Sequence, residues 1–365
     1  MTIASLLTSE SERSELALGE LLAQAKQVPM SGPRAGVLLA SEHHHSQAEH
    51  VRSSIVRALD IEVLTGTVTR AGMIRNRGYF DRPFLALLSW PIQDVECPSA
   101  LQISRLGEER GAENRSSAFV ISSSTSVTHV LRTAAHHDIF MMGAVTFAAE
   151  PTIQFHRDGT LISGASGLGW HQANSIATTM VPSAELIGEA YEITAAHEDI
   201  VIELNGRPAL DVICEALQLD PSDAFESIGT QYLIGIEQNS HDFSRRVYRH
   251  ITALDPVQKM FSVGHRFSHR DTLTLGQRTR ESAIRLFDQH CRELKSRITN
   301  RRPLALLFSG CIARGPTMFQ DEHEEAELVA RHFPDIPVVG MYGNGEFFGD
   351  ELQSYAAVLT LLMPP

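Results

Sequence analysis

The segment Phe308-Ser309-Gly310-Cys311-Ile312-Ala313-Arg314-Gly315 sets a thiol and a guanidinium three residues apart in a loop with two glycines. The apolar run Leu304 to Phe308 before it predicts a strand, and ligands commonly sit at the C-terminal ends of strands in α/β sheets. Arg314 can clamp a carboxylate through paired hydrogen bonds, whereas Cys311 becomes a nucleophile only where a base lowers its pKa, and no partner base is identifiable from the sequence. A second segment, Met341-Tyr342-Gly343-Asn344-Gly345-Glu346, reads as a glycine-rich turn after the strand Pro337 to Gly340. Its Glu346 can accept hydrogen bonds from an ammonium group. If both loops face one crevice, Arg314 and Glu346 offer opposite charges to the two ends of a zwitterion; the alternative is an internal salt bridge between them.

Seventeen histidines raise metal and haem chemistry. His43, His44 and His45, with His50 beyond, follow a strand, but no H-E-x-x-H or comparable ligand spacing accompanies them. His136 and His137 are explained by a helix C-terminus, and His265 and His269 fall in strand or loop. A dedicated metal site is not expected. A haem needs only one axial histidine and an apolar pocket, so spacing leaves it open. Ser163 to His171 carries glycines in the order G-x-x-G-x-G, yet follows a hairpin rather than opening a helix, and so fails as a dinucleotide loop. Within it Trp170 either lines a pocket beside His171 or packs in the core.

Three stretches repeat one grammar of strand, loop, amphipathic helix and strand. The first runs from Gly36–Ala40, through a helix that Ser46 can cap and that aligns Ala48, Val51, Ile55 and Leu59, to Ile61–Gly66. The second runs from Ala118–Ser122 through Val127, Val130, Leu131 and Ala134 to Ile139–Gly143, and the third from Leu304–Phe308 through an acid-started helix, Asp321 to His332, to Pro337–Gly340. Between the second and third the chain is β-rich, with strands at Thr152–Phe155, Thr160–Ser163, Ile200–Leu204 and Phe261–Val263 and turns at His156–Gly159 and Asn205–Pro208. Leu210 to Leu217 predicts a short helix and Arg280 to Ile298 a longer one, whose three-four spacing makes Cys291 a core residue. Glu10 to Lys26 predicts a leading helix outside the main fold. The expected class is mixed α+β, with two similar-sized domains of mixed sheets and crossover helices.

Composition narrows the partners. A net charge of -13 without a basic run repels a phosphate backbone, so nucleic acid is not expected. No stretch approaches about 18 uninterrupted apolar residues and no leader pattern opens the chain, which predicts a cytoplasmic protein without membrane insertion. Cys97, Cys214, Cys291 and Cys311 lie far apart with no C-x-x-C pair, against a zinc site or disulfide framework.

Together these segments resemble the FIST family, the F-box and intracellular signal transduction proteins, over about Ala35 to Leu362. The resemblance rests on Val37 to Gly66, Ile139 to Gly143, Gly167-Leu168-Gly169-Trp170-His171, Ile200 to Leu210 with its E-L-N-G-R-P-A-L, Tyr248 to Pro256, and above all Leu306 to Glu346. It implies an N-terminal domain over 31–225 and a C-terminal domain over 226–363, after a leading helix and linker over 1–30. It further implies a bacterial sensor of small molecules such as amino acids, signalling to a separate protein such as a kinase, while some relatives resemble haem-based nitric-oxide sensors. Cys311, Arg314, Gly315, Gly345 and Glu346 match the family's motif positions. The loop Gly310-Cys311-Ile312-Ala313 departs from the commoner Cys-Asn-Gly type, and His171 stands where many relatives have arginine. The pocket is expected between Ser41–Ser46, Gly310–Gly315 and Gly343–Glu346, with His43, His44, Tyr342, Trp170 and His171 as further contacts, His171 being also a candidate haem contact. A haem sensor and a cysteine-dependent enzyme are the competing classes.

Overall fold

The computed structural model describes residues 4–28, 32–92, 95–96, 117–172, 175–220, 228, 231–239, 244–267, 271–298 and 301–364. Cys97 and His269 lie outside the described residues. The chain divides into two compact units, one of Met1–Val181 with Asp288–Pro365 and the other of Pro182–Phe287.

The first unit contains two sheets. One follows the order β1 (Ser5–Ser9), β6 (Leu85–Pro91), β2 (Arg34–Ser41), β3 (Ile61–Thr69), β10 (Ile153–His156), β11 (Gly159–Ile162). The other follows β13 (Ile176–Pro182), β25 (Ala356–Leu362), β22 (Ala305–Cys311), β23 (Val338–Gly349), β9 (Phe140–Thr146), β8 (Ser117–Ser122), β12 (Ala165–Trp170), β7 (Val95–Glu96). The hairpin β4 (Ala71–Ile74) and β5 (Arg77–Phe80) joins β23 through β4, and β24 (Glu351–Gln353) folds back on β23.

Period-two alternation sends Val37 and Leu39 of β2 into the core between the sheets, opposite Leu307, Val339 and Met341, while Leu38 and Ala40 face a second core beneath α1 (Ser14–Ala25) and α2 (Ala48–Ala58). On the far side of the second sheet, Val120 and Met141 pack against Val130 and Ala134 of α3 (Val127–His136). Helices therefore cover both outer faces, so strands buried on both sides read as continuous apolar runs.

All three repeated units form parallel pairs with a crossover helix: β2 with β3, β8 with β9, and β22 with β23. Each second strand carries a glycine opposite the first strand, Leu38 facing Gly66, Val120 facing Gly143 and Phe308 facing Gly340. A Cβ at any of the three would overlap that residue's carbonyl oxygen.

The second unit is an antiparallel sheet in the order β18 (Ser244–Arg249), β17 (Tyr232–Asn239), β21 (Thr272–Gln277), β14 (Glu185–His197), β15 (Ile200–Leu204), β20 (Met260–Ser262), β19 (Ala253–Asp255). The short β16 (Arg207–Pro208) leads from β15 into α4 (Ala209–Leu217), whose Leu210 and Ile213 seal the core against Val201 and Phe261. The helix α5 (Arg280–Arg297) continues into the first unit from Asp288 onward. A one-turn helix, α6 (Gly315–Met318), and α7 (Glu324–His332) lie between β22 and β23.

Three local expectations are corrected. The leading segment belongs to the main fold, because β1 pairs with β6 and Leu18, Leu21 and Ala25 of α1 lie in the helix-covered core. Ser46 does not cap α2; it sits in a 3-10 turn, Glu42–Gln47, and no side chain bonds the helix start. Met341–Glu346 is not a turn but the middle of the long strand β23, with one extra residue bulged between Gly343 and Glu346.

Candidate functional site

The bulge places the chemistry. Gly343 pairs with Thr146 and Glu346 with Ala144, so three steps on β23 oppose two on β9, and Gly345 takes the extra residue at φ 119°. The side chain of Glu346 is thereby fully buried, and its Oε2 accepts a hydrogen bond from the Ala356 N–H at 3.1 Å. The neighbouring strand β22 ends at Cys311, where a tight turn forms: the Ile312 N–H donates to the Gly343 carbonyl at 2.9 Å and the Arg314 N–H to the Cys311 carbonyl at 2.8 Å. That turn drives Arg314 inward to zero exposure.

Arg314 pairs with Glu325 of α7, Nε to Oε1 at 2.7 Å, the two side chains being 0% and 1% exposed. The internal salt bridge is thus real, but its acid is Glu325 and not Glu346. The guanidinium lies 5.9 Å from the centre of the Phe319 ring. Tyr342 is also fully buried, its ring 4.8 Å from that of Phe80 and 5.3 Å from that of Phe308. Within this cluster five buried polar atoms lack a well-formed hydrogen bond, Nη1 and Nη2 of Arg314, Oε2 of Glu325, Oη of Tyr342 and Oε1 of Glu346, although the Tyr342 hydroxyl lies close enough to the Glu325 carboxylate for a weak mutual bond. Buried polar groups are normally paired, so these five together mark a place built to hold something polar.

Burial pushes the Glu325 carboxyl up, against the attraction of Arg314, and pushes Glu346 well above the usual carboxylate range, the Ala356 N–H and Arg314 opposing. The Tyr342 phenol is raised well above its ordinary value by burial and then by the Glu325 charge. One permanent cation thus faces two acids that resist ionising together. A carboxyl whose folded pKa exceeds its unfolded one stabilises fully below the unfolded value of about 4.3 and loses that contribution as pH rises toward the folded value. Urea titrations should therefore show Glu346→Gln, which mimics the protonated acid, losing less stability than the parent as pH climbs above that value; parallel curves would remove Glu346 as the source.

The structure brings Cys311, Arg314, Gly315, Tyr342, Gly345 and Glu346 into one region, with Cys311 buried at the end of β22. The loop after β2 lies at the C-terminal ends of β3 and β9, the end at which Thr146 pairs with Gly343. Ser41 is level with Thr69, the Thr69 hydroxyl donates to the Phe147 carbonyl at 3.1 Å, and the Ala149 N–H donates to Glu42 Oε1 at 2.5 Å. His43 is exposed there, but His44 turns away, fully buried with Nδ1 2.9 Å from Ser14 Oγ. Burial, then the charge of His43, lowers its pKa. Trp170 is core, and with His171 it sits at the other end of the strands, Trp170 pairing with Ser117 while Thr146 pairs with Gly343. Glu325 is the residue that sequence reasoning misses, because it stands among Asp321, Glu322 and Glu324 and reads with them as a partner of the helix dipole.

Two open clefts of about 350 and 370 Å³ lie elsewhere in the first unit, one beside Leu6, Arg75 and Phe333, the other beside Leu22, Lys26 and Asp60. Among the described residues neither is lined by a histidine. Among the described residues no three His, Cys, Asp or Glu side chains gather to hold a metal ion, and no helix is long and apolar enough to cross a membrane. Cys291 is fully buried, with its thiol pushed up to about 12 chiefly by burial, in keeping with a core role.

The FIST N domain matches residues 34–207 and the FIST C domain residues 209–349. The chain belongs to the FIST family. Among its relatives is an uncharacterized protein of Mycobacterium bovis, 24% identical over 86% of this chain and 85% of its own. An uncharacterized protein of Mycobacterium tuberculosis is 23% identical over 90% of both chains. The buried cluster lies within the FIST C segment, and the loop with His43 lies within the FIST N segment. FIST domains are associated with sensing in signal transduction.

Proposed function

We propose that this FIST protein is a cytoplasmic small-ligand sensor that takes a small zwitterion, such as an amino acid, at the Arg314 cluster and signals to a separate effector such as a kinase. The observation that carries this reading is the set of buried polar atoms on Arg314, Glu325, Tyr342 and Glu346 that lack a well-formed hydrogen bond, above all the two Nη atoms of Arg314 and Oε1 of Glu346. The two Nη atoms supply the parallel donors that a carboxylate accepts, and Glu325 Oε2 with Glu346 Oε1 supplies acceptors for an ammonium group. An ammonium beside Glu346 favours its ionised form, so binding releases a proton. Such a ligand shifts the population toward the arrangement that completes these bonds, and an effector reads the difference.

Calorimetric titration with the amino acids and small monocarboxylates tests this. A hydrogen bond to a charged group contributes about 1.5–3 kcal/mol, so Tyr342→Phe and Glu346→Gln should each weaken a bound zwitterion about tenfold to a hundredfold. Absence of binding by every amino acid would sink the zwitterion. Equal affinity in the parent and both variants would move the site elsewhere.

A further inference from the structure

The cluster is closed, so anything that reaches it must displace a covering group. Of the rings around it, Phe308, Phe319 and Tyr342 are buried, and Phe80 alone is partly exposed. Phe80 ends β5, on the hairpin that joins the sheet at β23. Its ring rests 4.8 Å from that of Tyr342, tilted by 40°. It also lies against Gly315, the residue after Arg314, where a Cβ would come within 2.5 Å of Phe80 Cζ. A side chain at 315 would therefore expel the ring, whereas glycine lets it lie flat over the turn that carries Arg314. The flanks of the hairpin are fastened on the outside, by Arg82 to Glu322 at 2.8 Å and by Arg70 to Asp81 at 2.7 Å, both partly or largely exposed. With the β5 backbone paired to β4, and β4 in turn to β23, the element free to move is the partly exposed phenyl ring, whose rotamer can change without the backbone moving.

We infer that Phe80 is the gate of the buried cluster, the side chain that a ligand displaces on entry and whose size sets what is admitted. This rests on the reading of the Arg314 cluster as a binding site, and it assigns Phe80 a role in exchange rate and selectivity and none in holding the ligand.

Access is measured without any ligand, using phenylglyoxal on the full chain and peptide mapping of the modified arginines by mass spectrometry. Two arginines serve as references: exposed Arg157 and Arg34, which is 2% exposed and remote in the first sheet. Phe80→Ala should raise the modification rate of Arg314 by tenfold or more with Arg157 and Arg34 unchanged, and Phe80→Trp should lower it below the parent. An Arg314 rate that is the same in all three proteins overturns the gate. So does a rise at Arg34 that parallels the rise at Arg314, because it reports general unfolding. Gly315→Ala should open access as Phe80→Ala does, and a closed site in that variant counts against the ring as the cover. Failure of the amino-acid titration leaves these rates untouched, so the two readings fail separately.

Discussion

Glu325→Leu should destabilise the protein by about 3–5 kcal/mol, because it leaves the Arg314 guanidinium in the interior without the carboxylate it pairs with. The reverse replacement, Arg314→Met, should cost less although it removes more atoms. The asymmetry is chemical. Arginine stays protonated at any accessible pH, whereas an unpaired buried glutamate takes up a proton and becomes neutral, and burial already pushes Glu325 that way. In Glu325→Leu the nearest recourse is Glu346, which Arg314 already draws toward ionisation. The loss should therefore be greatest at low pH and shrink as pH rises. The double variant should be much less destabilised than the sum of the single ones, since two well-packed apolar side chains replace a buried ion pair at little net change. Urea midpoints for the four proteins at two pH values decide it. Additive losses, or Arg314→Met worse than Glu325→Leu, would show that packing and not charge governs the site.

The three strand-helix-strand units are legible in the sequence because their strands are buried on both faces and their helices keep a three-four stripe; both signals survive without tertiary context. Strand β1 is not legible. Its buried positions are Ser5, Leu7 and Ser9, so the alternation that places it is carried by hydroxyls as much as by carbon and does not register as hydropathy. The strand β14, E-L-I-G-E-A-Y-E-I-T-A-A-H, is rich in helix formers and mostly exposed or half-buried, and it is held extended by β21 on one side and β15 on the other. Propensity yields to pairing there, as it does wherever neighbours supply the missing preference.

At the site, Arg314 and Glu346 stand out because each is an ionisable side chain in a glycine-rich segment. Reading those glycines as turn markers hides the bulge: at Gly343 a Cβ would clash with the Val145 carbonyl, so this glycine serves close approach of strands. Glu325 is masked by the acids around it, yet a signal is present. The buried residues of α7 are Glu325, Ala326, Leu328 and Val329, so a carboxylate sits on the apolar stripe itself, where it needs an internal cation. Phe80 has no signal, because its role depends on a hairpin crossing to a loop more than two hundred residues further along the chain.

The glycines of the three crossover units make the sharpest test of the fold. Gly66 and Gly143 hold φ values of 152° and 127°, where an L side chain is strained, and at both a Cβ would fall on a carbonyl of the paired strand. No rotamer can relieve a clash between backbone groups, so the parallel ladder itself has to part. Backbone strain of about 1–3 kcal/mol, with ladder hydrogen bonds of about 1 kcal/mol each disturbed beside it, sets the expected loss for Gly66→Ala or Gly143→Ala near 3 kcal/mol or above. Gly340 lacks the unusual φ but meets the Phe308 carbonyl in the same way, so Gly340→Ala should lose stability through the clash alone, and less of it. Gly19 supplies the opposite sign. It lies exposed within α1, where an added methyl group would have no neighbour within 4 Å, and alanine there should raise stability by about 0.8–1 kcal/mol through helix propensity. Thermal and urea unfolding of the four variants checks the order. A Gly143→Ala protein as stable as its parent would mean that the β8–β9 pair can separate freely, and a common origin for the three glycines, close strand approach at one register position, would not stand.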